Sequence, residues 1–453
     1  MRKNGITYIM VLTHNQLKEL QLCVGTIRQF KADNAKIVVI DNASTDGTDE
    51  WCQSQEDVIF SFSEEGEISW SKAINETLGA LEDVEKFLLM NAGYAMTPQM
   101  QGKLETVLGD VKVGIVAPVT DRTMYYFRGR EIIPNYDEAI NWAVTREESA
   151  STVTMDIQSA PVMMRMESYR TIGPFDELLT GYELMMTDYT IRCIRADLEI
   201  RLSLDGIMWN FGSGWKTDCQ DFAKEAAYYR EKSGVHYLAF AGNNHLVNAI
   251  AAEHLDRQDS FKVLEVGCAC ANTLLLIKSE YPNAEIFGTD ISETPVEIAS
   301  HFAKAEVSNI EEQDMTFEEG FFDYILFGDV LEHLRDPKRA LIYCRKFLRP
   351  VGKVVASIPN LMNITVIEQL LNGNFTYQEE GLLDKTHIHL FTYNEIIRMF
   401  QEAEYNVCLD KVAYTGNCIS EKQENLIKTL CTLAPDSEHF MYQAFQYVVT
   451  AQR

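Results

Sequence analysis

Basic residues are scarce in this 453-residue chain: 40 lysines and arginines face 67 aspartates and glutamates, a formal net charge of −27. Nucleic acid and anionic membrane surfaces want a basic stripe, so neither is expected as a partner. Long apolar runs are missing as well. Residues 1–12 contain a run of strand length, without a cleavage-site pattern and too short to span a bilayer, so a cytoplasmic protein without membrane insertion is expected. The ten cysteines include no C-x-x-C pair, which speaks for reduced core residues and against a disulfide framework. No internal repeat, low-complexity stretch or glycine-proline linker is evident, and the length suits two or three domains.

What is present is most informative at residues 263–290. VLEVGCACA is an apolar run too short for a helix, broken at Gly267, and it is followed by helix-forming residues 272–278 and a second apolar run, 286–290, that ends in Asp290. This is a βαβ unit with an acid closing its second strand, where a carboxylate can accept both ribose hydroxyls of a nucleoside. A pyrophosphate needs G-x-G-x-x-G so that backbone can press against it; the corresponding residues here are Gly267, Ala269 and Asn272, which favours a cofactor without phosphates. Alanine at 269 and 271 is expected to hold a negative φ and to place a methyl group near the ligand, weakening its binding.

The run resembles motif I of class I S-adenosylmethionine methyltransferases, and later segments fall in that family's order: Asp314 and Met315 after an acidic loop, a strand at 322–327 leading into GDVLEHLRDP, a strand at 353–358, and strands at 406–412 and 444–450 separated by an inserted helix around 421–433. The resemblance implies a seven-strand Rossmann-like domain over residues 258–453. It also implies S-adenosylmethionine held by Glu265, Gly267, Ala269, Asp290, Ile291, Asp314, Met315 and Asp329. Methyl transfer needs a positioned acceptor and usually a base. The segment THIHLF resembles the histidine-containing stretch near the acceptor site of many small-molecule and sugar methyltransferases; His387 is the first candidate base, His389 the second, and His333 a third at the same mouth. In an extended segment His387 and His389 would share one face. That spacing also suits a metal ion, but no third ligand follows at an obvious spacing, so no metal ligand is assigned and a divalent metal is not expected.

The amino-terminal half opens another βαβ unit: a strand at 6–12, apolar positions Leu17, Leu20, Val24 and Ile27 at helical spacing, and a strand at 37–40 running into DNASTDGT. With Thr13, His14 and Asn15 at the first strand's exit, it resembles family 2 glycosyltransferases of the GT-A fold over about residues 4–215. The resemblance implies a nucleotide-sugar site at Asp41 and Asp46. That family holds a divalent ion on an aspartate pair after the fourth strand. Here the stretch is Asn91-Ala92-Gly93, the family's Glu-Asp pair falls on Met185 and Met186, and a common histidine falls on Asn210, leaving Asp188, or Glu183 with a shifted loop, as candidate base. A catalytically weakened domain is expected.

The expected architecture is α/β with two doubly wound domains: a GT-A-like domain over 1–220, a helical connector over 221–257 and the methyltransferase domain over 258–453. The expected function is methylation of a sugar or glycan-linked small acceptor, with a nucleotide sugar as second candidate ligand. A bifunctional glycosyltransferase/methyltransferase and a non-catalytic scaffold of a glycosylation complex are the alternatives. Oligomeric state is not legible.

Overall fold

The computed structural model describes residues 5–63, 66–120, 133–146, 150–155, 157–212, 222–409, 412–416 and 419–453. The chain divides into two compact units, Met1–Ala241 and Gly242–Arg453, each built on its own sheet.

In the first unit β1 (Ile6–Thr13), β2 (Ala35–Asp41), β3 (Val58–Phe62) and β4 (Val84–Asn91) lie parallel in the order β3-β2-β1-β4. The interior strands β1, β2 and β4 read as near-continuous apolar runs because both faces are covered, as parallel sheets require. β8 (Val162–Arg165) then pairs antiparallel with β4, and β6 (Val113–Thr120) antiparallel with β8. β9 (Glu199–Asn210) runs parallel to β6 and carries the short antiparallel strands β5 (Tyr94–Met96) and β7 (Ser151–Val153). The chain leaves β1 toward β2 and β3, then crosses back to β4. The crevice at the carboxyl ends of β1 and β4 is thus a topological switch point, where ligands bind in such sheets. The register sets Thr13 opposite Asp41 and Leu12 opposite Asn91 there.

The second unit repeats the device. β10 (Lys262–Val266), β11 (Glu285–Asp290), β12 (Lys304–Val307), β13 (Phe322–Gly328) and β14 (Leu348–Pro359) form a parallel sheet in the order β12-β11-β10-β13-β14. β17 (Ala444–Gln452) closes it antiparallel to β14. Of the segment expected as one strand over 406–412, Asn406–Val407 (β15) pairs with β17, and residues 410 and 411 lie outside the described residues; Ala413–Gly416 (β16) also pairs with β17, so among the described residues the sheet has eight segments where seven strands were expected. The inserted helix is Glu421–Leu433; its start is set by a capping box in which Ser420 and Gln423 satisfy each other's backbone N–H groups.

The stretch read as a connector forms separate helices, Phe222–Ser233 in the first unit and Asn244–Ala251 in the second. Among the described residues no helix is long and apolar enough to cross a membrane.

Candidate functional site

Glu265 is the fourth residue of β10 and almost wholly buried, at 4% exposure. The Thr273 hydroxyl donates to it, but its Oε2 meets no donor. Burial pushes its carboxyl from an ordinary 4.5 to about 8, with the nearby charge of Asp290 acting in the same direction and the Thr273 bond against it. At the end of β11, Asp290 accepts from the Ala269 N–H at 3.0 Å through Oδ2 and from the Ser292 N–H at 2.9 Å through Oδ1. The backbone N–H groups of Gly267 and Cys268 both donate to the Thr289 carbonyl, so the turn after β10 is strapped to the end of β11.

That turn corrects one expectation. Ala269 and Ala271 do not keep a negative φ: they sit at +45° and +69°, beside Gly267 at +73°. An L-residue there costs roughly 1–2 kcal/mol, which the strapping hydrogen bonds hold in place. Glycine is needed outright only at 267, where a Cβ would lie 2.5 Å from Val330 Cγ2. Cys268 and Cys270 are buried packing residues; the Cys268 sulfur fills the space above Gly288.

The remaining cofactor candidates are placed unequally. Ile291 stands 66% exposed just past β11, whereas Met315 is packed into the core with Phe322 and Tyr343. Asp314 is exposed and its Oδ1 accepts from the Asn309 N–H at 2.9 Å. Asp329, just past β13 at φ +54°, is held by Gln446 Nε2 at 2.5 Å on one oxygen, and by Asn243 Nδ2 at 3.4 Å and Ser357 Oγ at 3.3 Å on the other. Burial raises it to about 6 against the Ser357 bond. Asn243 also donates its N–H to Thr273 Oγ1, so one polar chain runs from Glu265 to Asp329.

Two residues beyond Asp329, the short turn Leu331–His333 brings Glu332 and His333 against the 386–389 segment. The Glu332 carbonyl accepts from the N–H groups of Ile388 at 2.9 Å and His389 at 3.0 Å. The His333 and His387 rings consequently meet edge to face, with centroids 4.8 Å apart, and His387 Nε2 lies 4.0 Å from Glu332 Oε1. His389 turns elsewhere, to the Arg335 carbonyl at 3.2 Å, so the H-x-H pair does not converge. Glu332 is 1% exposed with both carboxylate oxygens unpartnered; burial, then the charge of Asp329, hold its carboxyl far above the usual range. Burial, then the charge of His333, lower the pKa of His387 below the ordinary imidazole value. Glu332, Asn243, Ser357 and Gln446 were missed in the sequence. Only Glu332, beside a candidate histidine, carried a local signal.

In the first unit Asp41 is 1% exposed at the end of β2. Ser44 donates to Oδ1 from its hydroxyl at 2.5 Å and its N–H at 3.3 Å, Oδ2 has no partner, and burial raises the carboxyl. Asp46 is differently employed. It accepts from Leu17 N–H at 2.9 Å, at the start of helix Leu17–Phe30, and from Thr48 Oγ1 at 2.6 Å; against a raising effect of burial, these bonds hold it below the usual carboxylate range.

Asp188, the candidate base, is 3% exposed and ion-paired to Lys232 Nζ at 2.7 Å and to Arg192 at 3.3 Å. Lys232 also pairs with Asp176 at 2.6 Å. These bonds bind helix Phe222–Ser233 to helix Tyr182–Arg195, and Met185 and Met186 are buried in the latter. A cleft of about 520 Å³, lined by His14, Asn42, Trp70, Lys224, Glu225 and Tyr228 among others, opens beside it. Glu225 occupies the start of helix Tyr182–Arg195, accepting from the Thr180 N–H at 2.9 Å and the Gly181 N–H at 3.3 Å, where an external anion would otherwise be favoured. After β4, Asn91 Oδ1 accepts from the Gly93 N–H at 2.9 Å. A Cβ on Gly93 would approach Gly212 Cα to 3.3 Å.

Two outcomes are expected from this geometry. Because the Glu265 carboxyl is raised when folded, its contribution to stability is present below about pH 4.5 and is lost as pH rises to about 8. At about 1.36 kcal/mol per unit this amounts to a few kcal/mol. Melting curves of the ligand-free protein should therefore decline more steeply between these limits than those of Glu265→Gln, and parallel curves would refute the assignment. Gly93→Ala should destabilise by about 1–2 kcal/mol in a denaturant titration, since the facing backbone of residues 211 and 212 is hydrogen-bonded to the Gly93 carbonyl; an unchanged midpoint would show that the space is not closed.

Comparison with known proteins follows the division seen in the structure. Residues 8–172 match the family described as glycosyl transferase family 2, and residues 225–409 a family described as a methyltransferase domain. The ubiquinone biosynthesis O-methyltransferase of Coxiella burnetii is 31% identical over 124 residues, 26% of this chain and 52% of that protein. Its counterpart in Acinetobacter baylyi is 30% identical over 115 residues, 24% and 48% of the two chains. The chain thus spans about half the length of these curated relatives. A solved SAM-dependent methyltransferase from Archaeoglobus fulgidus is 17% identical, covering 50% of this chain and 99% of its own with a TM-score of 0.32. With the strand orders described above, the two family matches make this chain a fusion of a family 2 glycosyltransferase domain and a class I methyltransferase domain.

Proposed function

We propose that the second domain methylates a hydroxyl of a sugar or glycan-linked small acceptor, and that the first domain recognises the glycan with weakened or absent transferase activity. The observation that carries the methyltransferase reading is the pairing of Glu265 and Asp290 at adjacent strand ends, with the Glu332, His333 and His387 cluster beyond β13 of the same sheet. The unpartnered, buried Glu265 Oε2 fits a cofactor that brings its own donors. Asp290 would take ribose hydroxyls, Ile291 would cover the adenine, and Asp329 would face the amino-acid end. Met315, whose side chain is spent in the core, would contribute through its backbone. S-adenosylmethionine, when bound there, supplies a methyl group activated on a sulfonium.

The chain's own work is then to orient the acceptor and receive its proton. His387 is placed first for this. Its Nδ1–H donates to the Leu382 carbonyl at 3.3 Å, leaving the lone pair on Nε2. His333 stands beside it, and His389, engaged at Arg335, is second choice. The O-methyl transfer named for the curated relatives supports oxygen as the atom methylated.

In the first domain, Asn91 and Gly93 offer no pair of anionic ligands, and Lys232 and Arg192 neutralise Asp188, so neither a metal nor a base is provided in the family's usual places. Asp41, buried with an oxygen to spare, supports retained nucleotide or glycan binding. It is also the one observation that favours a bifunctional enzyme.

Calorimetric titration with S-adenosylmethionine should give saturable heat, weakened about tenfold or more by Asp290→Ala. His387→Ala should keep that affinity while lowering S-adenosylhomocysteine release, over a panel of soluble sugar acceptors, by about 10²–10⁴-fold. Absence of heat from the unaltered protein would sink the methyltransferase reading.

A further inference from the structure

Glu332 poses an electrostatic problem that the proposed reaction does not use. Its side chain is buried, at 1% exposure, both carboxyl oxygens lack a hydrogen-bond partner, and an imidazole nitrogen lies 4.0 Å from Oε1. That nitrogen, His387 Nε2, carries a lone pair, because the ring's Nδ1–H is donated to the Leu382 carbonyl. The same holds across the cluster. His333 Nδ1 lies 3.2 Å from the Thr386 carbonyl and donates to it, so its Nε2 is again the electron-rich nitrogen. The three side chains therefore turn lone pairs toward one shared space. Buried acceptors facing acceptors are stable only when something positive lies between them, either a proton or a cation.

We infer that Glu332, His333 and His387 form a binding site for one divalent transition-metal cation. Among the described residues, one donor atom from each lies within 4.8 Å of the other two. Metal bonds of about 2.1 Å place tetrahedral donors about 3.4 Å apart, so a modest closure of three side chains suffices. Two imidazoles and one carboxylate favour Zn²⁺, Co²⁺ or Fe²⁺ over Ca²⁺ or Mg²⁺, which prefer all-oxygen shells. Both histidines already make the bond that fixes a ligating imidazole: a ring N–H donated to a backbone carbonyl. Behind His333, Thr386 is itself held by Asp384 at 2.7 Å. The H-x-H spacing lacked a third ligand. The fold supplies two, Glu332 and His333, from a turn more than fifty residues earlier, and His389 is left out.

Three protein ligands leave at least one position open, as in catalytic metal sites. If the methyltransferase reading holds, on which this use of the site rests, the open position takes the acceptor hydroxyl. A cation held by Glu332, His333 and His387 would supply Lewis-acid polarisation of that oxygen: its O–H bond would break with the proton passing to solvent, and the freed oxygen pair would bond the methyl carbon as the carbon–sulfur bond breaks, with that bond's electrons going to sulfur. In the cation-free protein the proton would pass to His387 instead.

The test uses Co²⁺ as probe on the full chain after dialysis against a chelator. Saturable uptake of one equivalent, with the visible absorption of a cation in a nitrogen and oxygen shell, is expected. Glu332→Gln and His333→Ala should each weaken it about tenfold or more, whereas His389→Ala should retain it. Glu332→Gln preserves shape; should it fail to fold, the half-exposed His333→Ala decides alone. No saturable uptake, or uptake equal in the ligand variants and the parent, overturns the inference. S-adenosylmethionine titrations run in parallel separate the two readings. Cofactor heat without Co²⁺ uptake removes the metal and leaves the methyltransferase, while Co²⁺ uptake without cofactor heat does the reverse.

Discussion

Carboxylates buried with oxygens left over are the constraint around which both ends of this chain are organised. Burying a charge without partners is strongly unfavourable, so such a group either keeps a proton or waits for a cation or donor from outside. Glu265, Glu332 and Asp41 all meet this description, and each sits at or just past the carboxyl end of a parallel strand. The surrounding structure tolerates them because the sheets are rigid and apolar. β10, β11 and β13 are anchored on both sides by ladder bonds, and the turn after β10 is strapped by the N–H groups of Gly267 and Cys268 to the Thr289 carbonyl. Two alanines are even held at positive φ in the process.

Asp46 and Asp188 show the opposite use of an acid. Both were candidates for ligand chemistry, yet both have their oxygens committed within the protein, Asp46 to the start of one helix and Asp188 to Lys232 and Arg192. An acid so paired packs two elements together. In the first domain Asp46, Asp188 and Glu225 are all bonded internally, Glu225 at the start of helix Tyr182–Arg195. In the second domain the balance is reversed: Glu265, Asp329 and the Glu332 cluster lie along one strand-end rim.

Much of this was legible from residues alone where the signal was local. Apolar runs of strand length, the break at Gly267 and the acid at 290 are properties of neighbouring residues, and hydrophobic periodicity reports them directly. The capping box at Ser420 marks a helix start by chemistry confined to one turn. The misreadings were also of one kind. Ala269 and Ala271 were assigned negative φ because that is alanine's own preference, but the chain's path between two strands overrode it. Of the strand expected over 406–412, Asn406–Val407 is the part that forms a strand among the described residues, paired with β17.

By itself the sequence determined two doubly wound domains, their order, and the families they match, because each strand and turn carries its own pattern and the order of elements restricts the topology to a few forms. Only the tertiary structure decided which polar groups share a site. His387 meets Glu332 and His333 across more than fifty residues, while its near neighbour His389 points to Arg335; Asp188 is met by Lys232 from another helix. The reason is physical: hydrogen bonds and ion pairs act over a few ångströms of space, and separation along the chain says little about that distance once the chain has folded back on itself.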